Sequence, residues 1–162
     1  MGGQVAAVRE PTGAIDTNRM DLAAVGTAAK LARVFAKHTA KKWQLSTDTC
    51  EKAEFVISEL CGNAIKATGT IEAVGPRDEP VQTITLRLAL LKTPSLVVEV
   101  EDADLDTPKL QDGSEELAEN GRGLFLVEAL SKRWGFYHTT DGRKVVWAEI
   151  DAIRANSSGE ER

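Results

Sequence analysis

Thiol and imidazole chemistry has little to draw on in this sequence, which holds two cysteines, Cys50 and Cys61, and two histidines, His38 and His138, among 162 residues. These four residues are scattered, with neither zinc-ligand spacing nor a catalytic partner pattern, so metal or thiol catalysis at them is set aside. The cysteines fall on what reads as one helix, which separates them by roughly 16 Å. That is beyond the ~7 Å Cα limit of a disulfide, and both are expected as free thiols. An excess of positive charge is also missing: 20 Lys and Arg stand against 25 Asp and Glu, for a net charge of -5. Phosphate backbones and anionic lipid surfaces call for clustered Lys and Arg, so direct nucleic-acid or membrane binding is not expected. No stretch approaches the roughly 20 apolar residues of a membrane span. The opening Met-Gly-Gly-Gln-Val-Ala-Ala-Val-Arg-Glu lacks the apolar centre of a signal peptide, so the expected location is cytoplasmic. Nor is there a Gly-Lys-Ser/Thr anywhere, which removes the P-loop.

What remains is the composition of an ordinary globular domain, 42% hydrophobic and 28% charged. Residues 1–20 are small and polar with Pro11 and Gly13, and read as a loose arm with room for one short strand at Gln4–Val8. Residues 21–153 read as one domain. From Asp21, offered as a cap, to Lys42, the residues Val25, Ala28, Leu31, Ala32, Phe35 and Thr39 recur at helical spacing. A second helix is capped by Thr47 and Asp48 and carries the apolar stripe Ala53, Val56, Ile57, Leu60 and Ala64. Residues 69–80 read as a loop. Ile84, Leu86, Leu88 and Leu90 then alternate with polar or small residues, and Leu96, Val98 and Val100 do so after a turn at 92–95, which predicts an antiparallel hairpin. Residues 107–120 form an acidic segment without period, long enough to predict a functional lid. Leu124, Val127 and Leu130 predict a short helix. Strands at 134–138 and 144–150 join across Asp141-Gly142, a favoured hairpin turn. Residues 154–162 read as a disordered tail. The predicted fold class is α+β: a two-layer sandwich with helices on one face of a mixed, mostly antiparallel sheet.

Three features carry chemistry. Glu59, Asn63 and Lys66 cluster on one strip of the second helix, beside its apolar stripe. A carboxylate, an amide and an ammonium there could hold a metal ion, orient a hydroxyl and contact phosphate; the plain alternative is a solvated helix flank. Asp102 continues the inward face of its strand, so its carboxylate needs a donor. It either caps a backbone amide or accepts from the exocyclic amine of a base. Gly121-Arg122-Gly123 opens a helix, where glycines admit close backbone approach and the free N–H groups attract phosphate.

In this order the segments resemble a known family. Ile57-Ser58-Glu59-Leu60-Cys61-Gly62-Asn63-Ala64 is similar to the asparagine-bearing N box of gyrase-type and histidine-kinase-type ATPases, the Bergerat fold. Val98-Glu99-Val100-Glu101-Asp102 resembles the strand that carries the adenine-binding aspartate. Asn120-Gly121-Arg122-Gly123-Leu124-Phe125-Leu126-Val127 resembles the glycine box behind the ATP lid. Trp134-Gly135 and Val146-Trp147-Ala148-Glu149 resemble short single-domain members from actinobacteria, the anti-sigma-factor serine/threonine kinases. The resemblance covers roughly residues 22 to 150. It implies ATP as the bound cofactor, with Asn63 on a Mg2+ ion and Asp102 on the adenine amine. It places Lys66, Gly121, Arg122, Gly123 and Leu124 around the nucleotide and makes Glu59 the general base. The partners it implies are a sigma factor or the antagonist protein that receives the phosphate, with a homodimer left open. A rival class is a nucleotide-poor module that sequesters its partner by surface contact alone. Two departures stand out. The family's Asp-x-Gly-x-Gly is here Asp102-Ala103-Asp104-Leu105-Asp106, where Asp104 and Asp106 would repel a triphosphate unless they face away. After Asn63, the chain has Lys66-Ala67-Thr68-Gly69 where the family often has a basic or His residue before a glycine.

Overall fold

A computed structural model describes residues 7–68, 81–108 and 122–156. The alternating runs become strands as their period requires. β2 (Thr83–Leu91) and β3 (Ser95–Asp102) form one antiparallel hairpin. β4 (Arg133–His138) and β5 (Lys144–Asp151) form another. Gly142, with φ +81°, supplies the left-handed residue of the second turn. A further strand, β1 (Ala14–Ala23), pairs antiparallel with β2. The five strands make one sheet in the order β1-β2-β3-β5-β4. Among the described residues, the parallel component is one bridge, Ala7 to Phe136.

Helices α1 (Ala28–Lys42) and α2 (Thr47–Thr68), with α3 (Arg122–Leu130), cover one face of the sheet. The predicted stripe of α2 is buried along its length, including Ala53, Val56, Ile57, Leu60 and Ala64. It packs on the inward residues of β2, β3 and β5, among them Leu86, Leu88, Val98, Val100 and Ala148. Full burial of such an aliphatic side chain contributes about 1.5–3 kcal/mol, so this layer dominates the stability of the fold. Val127 of α3 is wholly buried in the same core. Both cysteines are free thiols, and burial pushes the Cys61 thiol up to about 12.

Four local expectations are corrected. Residues 14–20, read as part of a loose arm, belong to β1. Its inward residues are few and most of the strand is exposed, which hides the period. Asp21 is in that strand and does not cap a helix; its carboxylate accepts from Thr85 Oγ1 at 2.7 Å. α1 therefore starts after Thr27, and its buried face is the alanine row Ala28, Ala32, Ala36 and Ala40 with Thr39. Leu31 is left 50% exposed. Small residues at i, i+4, i+8 let α1 approach α2 closely, and that contact outweighs the larger apolar side chain next to them. The cap of α2 is Ser46, whose Oγ accepts from the Thr49 N–H at 3.2 Å.

The sheet's second face is also partly covered. Ala89, Leu91, Val97 and Trp147 form a small second cluster. The segment before β1 crosses it: Val8 N–H donates to Phe136 O at 2.8 Å, and Trp147 Nε1 donates to Val8 O at 2.6 Å. Of the short strand expected at Gln4–Val8, only this end falls within the described residues. At the far end, Arg154 bridges to Leu45 and donates to Trp43 O at 3.1 Å, so the polar tail is anchored at its first residue. The loop 69–80 and residues 109–120 of the lid expected at 107–120 lie outside the described residues.

Candidate active site

A cavity of about 170 Å³ opens between α2 and the ends of β3 and β5. Its apolar walls are Leu60, Ala64 and Ala67 of α2, Val100 of β3, Val146 of β5 and Leu124 of α3. Its polar groups are Asn63, Asp102 and Lys144, with Asp104, Asp106, Thr107 and Pro108 at the rim. Apolar walls with a few convergent polar groups are the usual make-up of a small-molecule site. The volume is below the few hundred Å³ typical of sites enclosing whole drug-sized ligands.

Each polar group is positioned by its element. Asn63 is one turn beyond Glu59 on α2, on the flank that meets the sheet's open end. Asp102 ends β3 on the inward side and is 2% exposed. Burial raises its pKa, while the Lys144 ammonium and the backbone N–H of Asp104 oppose that rise. The Asp104 N–H donates to Asp102 Oδ1 at 2.8 Å, so the aspartate does cap a backbone amide. A carboxylate has about four acceptor positions, and this bond leaves room for a ligand donor as well.

Lys144 is the group that sequence reasoning missed. It is the direct cross-strand partner of Asp102 in the β3–β5 pairing. Its Nζ donates to Asp104 Oδ2 at 3.0 Å and to Asp106 O at 3.1 Å, and stands 3.7 Å from Asp102 Oδ1. Partial burial is the largest single influence on the Asp104 carboxyl, but the hydrogen bond and charge of Lys144 together with the backbone N–H groups of Asp106 and Leu105 outweigh it and lower its pKa. The Asp104 carboxylate thus meets a buried cation, and Asp106 is reached through its backbone carbonyl. No sequence signal reveals this, because the contact joins residues 40 positions apart through strand pairing.

Glu59 is half-buried and does not line the cavity. Its carboxylate lies against the backbone of Gly123 at the start of α3, where a Cβ at 123 would collide with it. Leu124 reaches the cavity. Lys66 is exposed and is not among the lining residues. Gly121 lies outside the described residues, as does the side chain of Arg122, whose backbone begins α3. Asn63, Asp102 and Leu124, taken from three separate segments, therefore meet in one cavity, with Glu59 and Gly123 adjoining each other nearby.

An antiparallel five-stranded sheet with helices on one face and a cavity at the strand ends is an α+β two-layer domain. Residues 22–150 match the family model of the histidine kinase-like ATPase domain, and the chain belongs to that family. No curated protein matches it. Among solved structures it is similar to the crystal structure of the RsbU and RsbW domains of Rv1364c from Mycobacterium tuberculosis, at 17% identity over 91% of this chain with a TM-score of 0.59. The chain spans 34% of that structure's chain, and the likeness is one of fold.

Proposed function

We propose that this chain binds ATP with Mg2+ in the cavity between α2 and the sheet, and acts as an anti-sigma-type regulator that phosphorylates a serine or threonine of an antagonist protein. The observation that carries this reading is the meeting of Asn63, Asp102 and Leu124 around one cavity in a chain of this family. Asp102 receives the exocyclic amine of the adenine. The apolar walls from Leu60, Ala64, Val100 and Val146 take the faces of the base. Asn63, which lines the cavity, would hold the metal ion through its amide oxygen. Mg2+ is an ion that keeps waters and relies on substrate phosphates more than on a protein cage. When bound, the ion neutralises charge that builds on the transferred phosphoryl group. The N-terminal turn of α3, from Arg122 through Gly123 and Leu124, presents backbone N–H groups toward the phosphates. Glu59 accepts the hydroxyl proton of the attacking serine, from a place beside that same turn. Lys66 contributes only as far as its flexible stem reaches.

The partner is a protein, either a sigma factor that is held or the antagonist that is modified. No described helix is long and apolar enough to cross a membrane. The second reading, sequestration without catalysis, draws on the ammonium of Lys144 beside Asp102 and on the missing glycines of the 102–106 segment. The two separate in a transfer assay with γ-labelled ATP, Mg2+ and the genetically linked antagonist. The kinase reading expects label on the antagonist and a loss of roughly 10²–10⁴-fold in Glu59→Gln. A stable complex that takes no label would leave sequestration.

A further inference from the structure

We infer that Lys144 is the positioning residue of the base pocket: its ammonium ties the 102–106 segment into a turn and fixes the Asp102 carboxylate where it can receive a base amine. The inference rests on the nucleotide reading for the identity of the ligand, but its structural part stands on the cavity alone.

A glycine after the aspartate would allow a turn through backbone freedom. Here the turn has side-chain causes. Asp102 Oδ1 accepts from the N–H of Asp104 at 2.8 Å, and Asp104 Oδ1 accepts from the N–H of Asp106 at 3.2 Å. Each aspartate so closes an Asx-type turn two residues on. Three acidic residues at alternate positions would repel one another, and Asp102 is buried. A cation is required, and Lys144 supplies it at 7% side-chain exposure. Its hydrogen bonds go to Asp104 Oδ2 and the Asp106 carbonyl, not to Asp102. At 3.7 Å from Asp102 Oδ1, it acts on that carboxylate as a neighbouring charge and leaves its remaining acceptor positions for a ligand. A lysine stem four carbons long, starting from the residue opposite Asp102 in the ladder, is what places the charge there.

The consequence is electrostatic as well as geometric. Burial favours the neutral carboxyl of Asp102, while Lys144, the Asp104 N–H and the more distant Arg143 favour the anion; Asp104 opposes it. From α2 the facing polar residue is the uncharged Asn63. Lys144 is therefore the main charge keeping Asp102 an acceptor.

The test uses Lys144→Gln, which keeps N–H donors for Asp104 and Asp106 but removes the charge, and Lys144→Arg, which keeps the charge. The Asp102 side-chain carboxyl is titrated by carbon NMR in the ligand-free full chain, and ATP with Mg2+ is titrated calorimetrically at several pH values. The expected result is an upward shift of the Asp102 titration in Lys144→Gln and ATP binding about tenfold weaker at neutral pH. The loss of binding should begin at higher pH than in the parent, and Lys144→Arg should restore both readouts. An Asp102 titration unchanged in Lys144→Gln overturns the inference. So does a Lys144→Gln variant that binds ATP as tightly as the parent with the same pH profile. If the parent itself binds no ATP while the Asp102 titration still moves, Lys144 holds the carboxylate as inferred and the nucleotide reading is what fails.

Discussion

Glu59 and Gly123 are best understood as a pair. Gly123 is not in the left-handed region, since the positive-φ glycines of the described residues are Gly13 and Gly142. The backbone at 123 therefore tolerates alanine, and a glycine in a helix is disfavoured by about 0.5–1 kcal/mol relative to alanine. What glycine provides is space for the Glu59 carboxylate. Gly123→Ala should keep or slightly raise the melting temperature while displacing that flexible carboxylate and lowering phosphate transfer. Unchanged transfer with a stable protein would detach Glu59 from the chemistry. The residue scale is also where sequence reading divides most clearly. Asn63 and Asp102 were legible because each breaks a local period: an amide beside an apolar stripe, a carboxylate on an inward strand face. Lys144 was not, because its only anomaly is its neighbour across the sheet.

At the scale of elements, α1 and β3 show why period alone misplaces a face. The helix pattern of α1 is strong, but alanines rather than Leu31 turn inward. Ala32 is fully buried and Leu31 is half exposed. Ala32→Leu should cost about 1–3 kcal/mol by overpacking, whereas Leu31→Ser should stay within about 0.5 kcal/mol; denaturant melts compare the two directly. The reverse order would restore the predicted stripe. β3 was legible as half-buried, yet its second face is covered too. Glu99 sits there at 4% exposure, ion-paired to Arg87. Its Oε1 and the Oε2 of Glu10 are buried without a hydrogen-bond donor among the described residues. Burial, with the nearby Glu10 carboxyl, outweighs Arg87 and pushes Glu99 up to about 6, against an ordinary value of 4.5. A carboxyl whose folded pKa is raised contributes stability that is complete below 4.5 and lost as pH rises through about 6. The melting temperature should therefore fall across that window, by less in Glu99→Gln, where the titration is gone. An identical slope in the variant would place the pH dependence elsewhere. The Tyr137 hydroxyl, desolvated in the same patch beside Glu99 and Glu10, is raised as well and stays protonated throughout.

For the molecule as a whole, the order of elements from α1 to β5 and the α+β class followed from the sequence, because two hairpins and a long amphipathic helix announce themselves by period and turn chemistry. The strand order β1-β2-β3-β5-β4 did not, since β3 meets β5 only after α3 and β4 have been passed. That pairing shapes the cavity, as it brings Asp102 and Lys144 together and sets both with Asn63 in its lining. β1 stayed hidden because it is an exposed edge strand with little apolar alternation. The central claim is that the cavity so formed is a nucleotide site, and calorimetric titration of ATP with Mg2+ into the parent, Asn63→Ala and Asp102→Asn tests it most directly. The parent should bind, Asn63→Ala should bind far more weakly, and Asp102→Asn should lose its preference for ATP over GTP while melting close to the parent. Equal affinity of parent and Asn63→Ala, or a base preference unchanged in Asp102→Asn, would contradict the account.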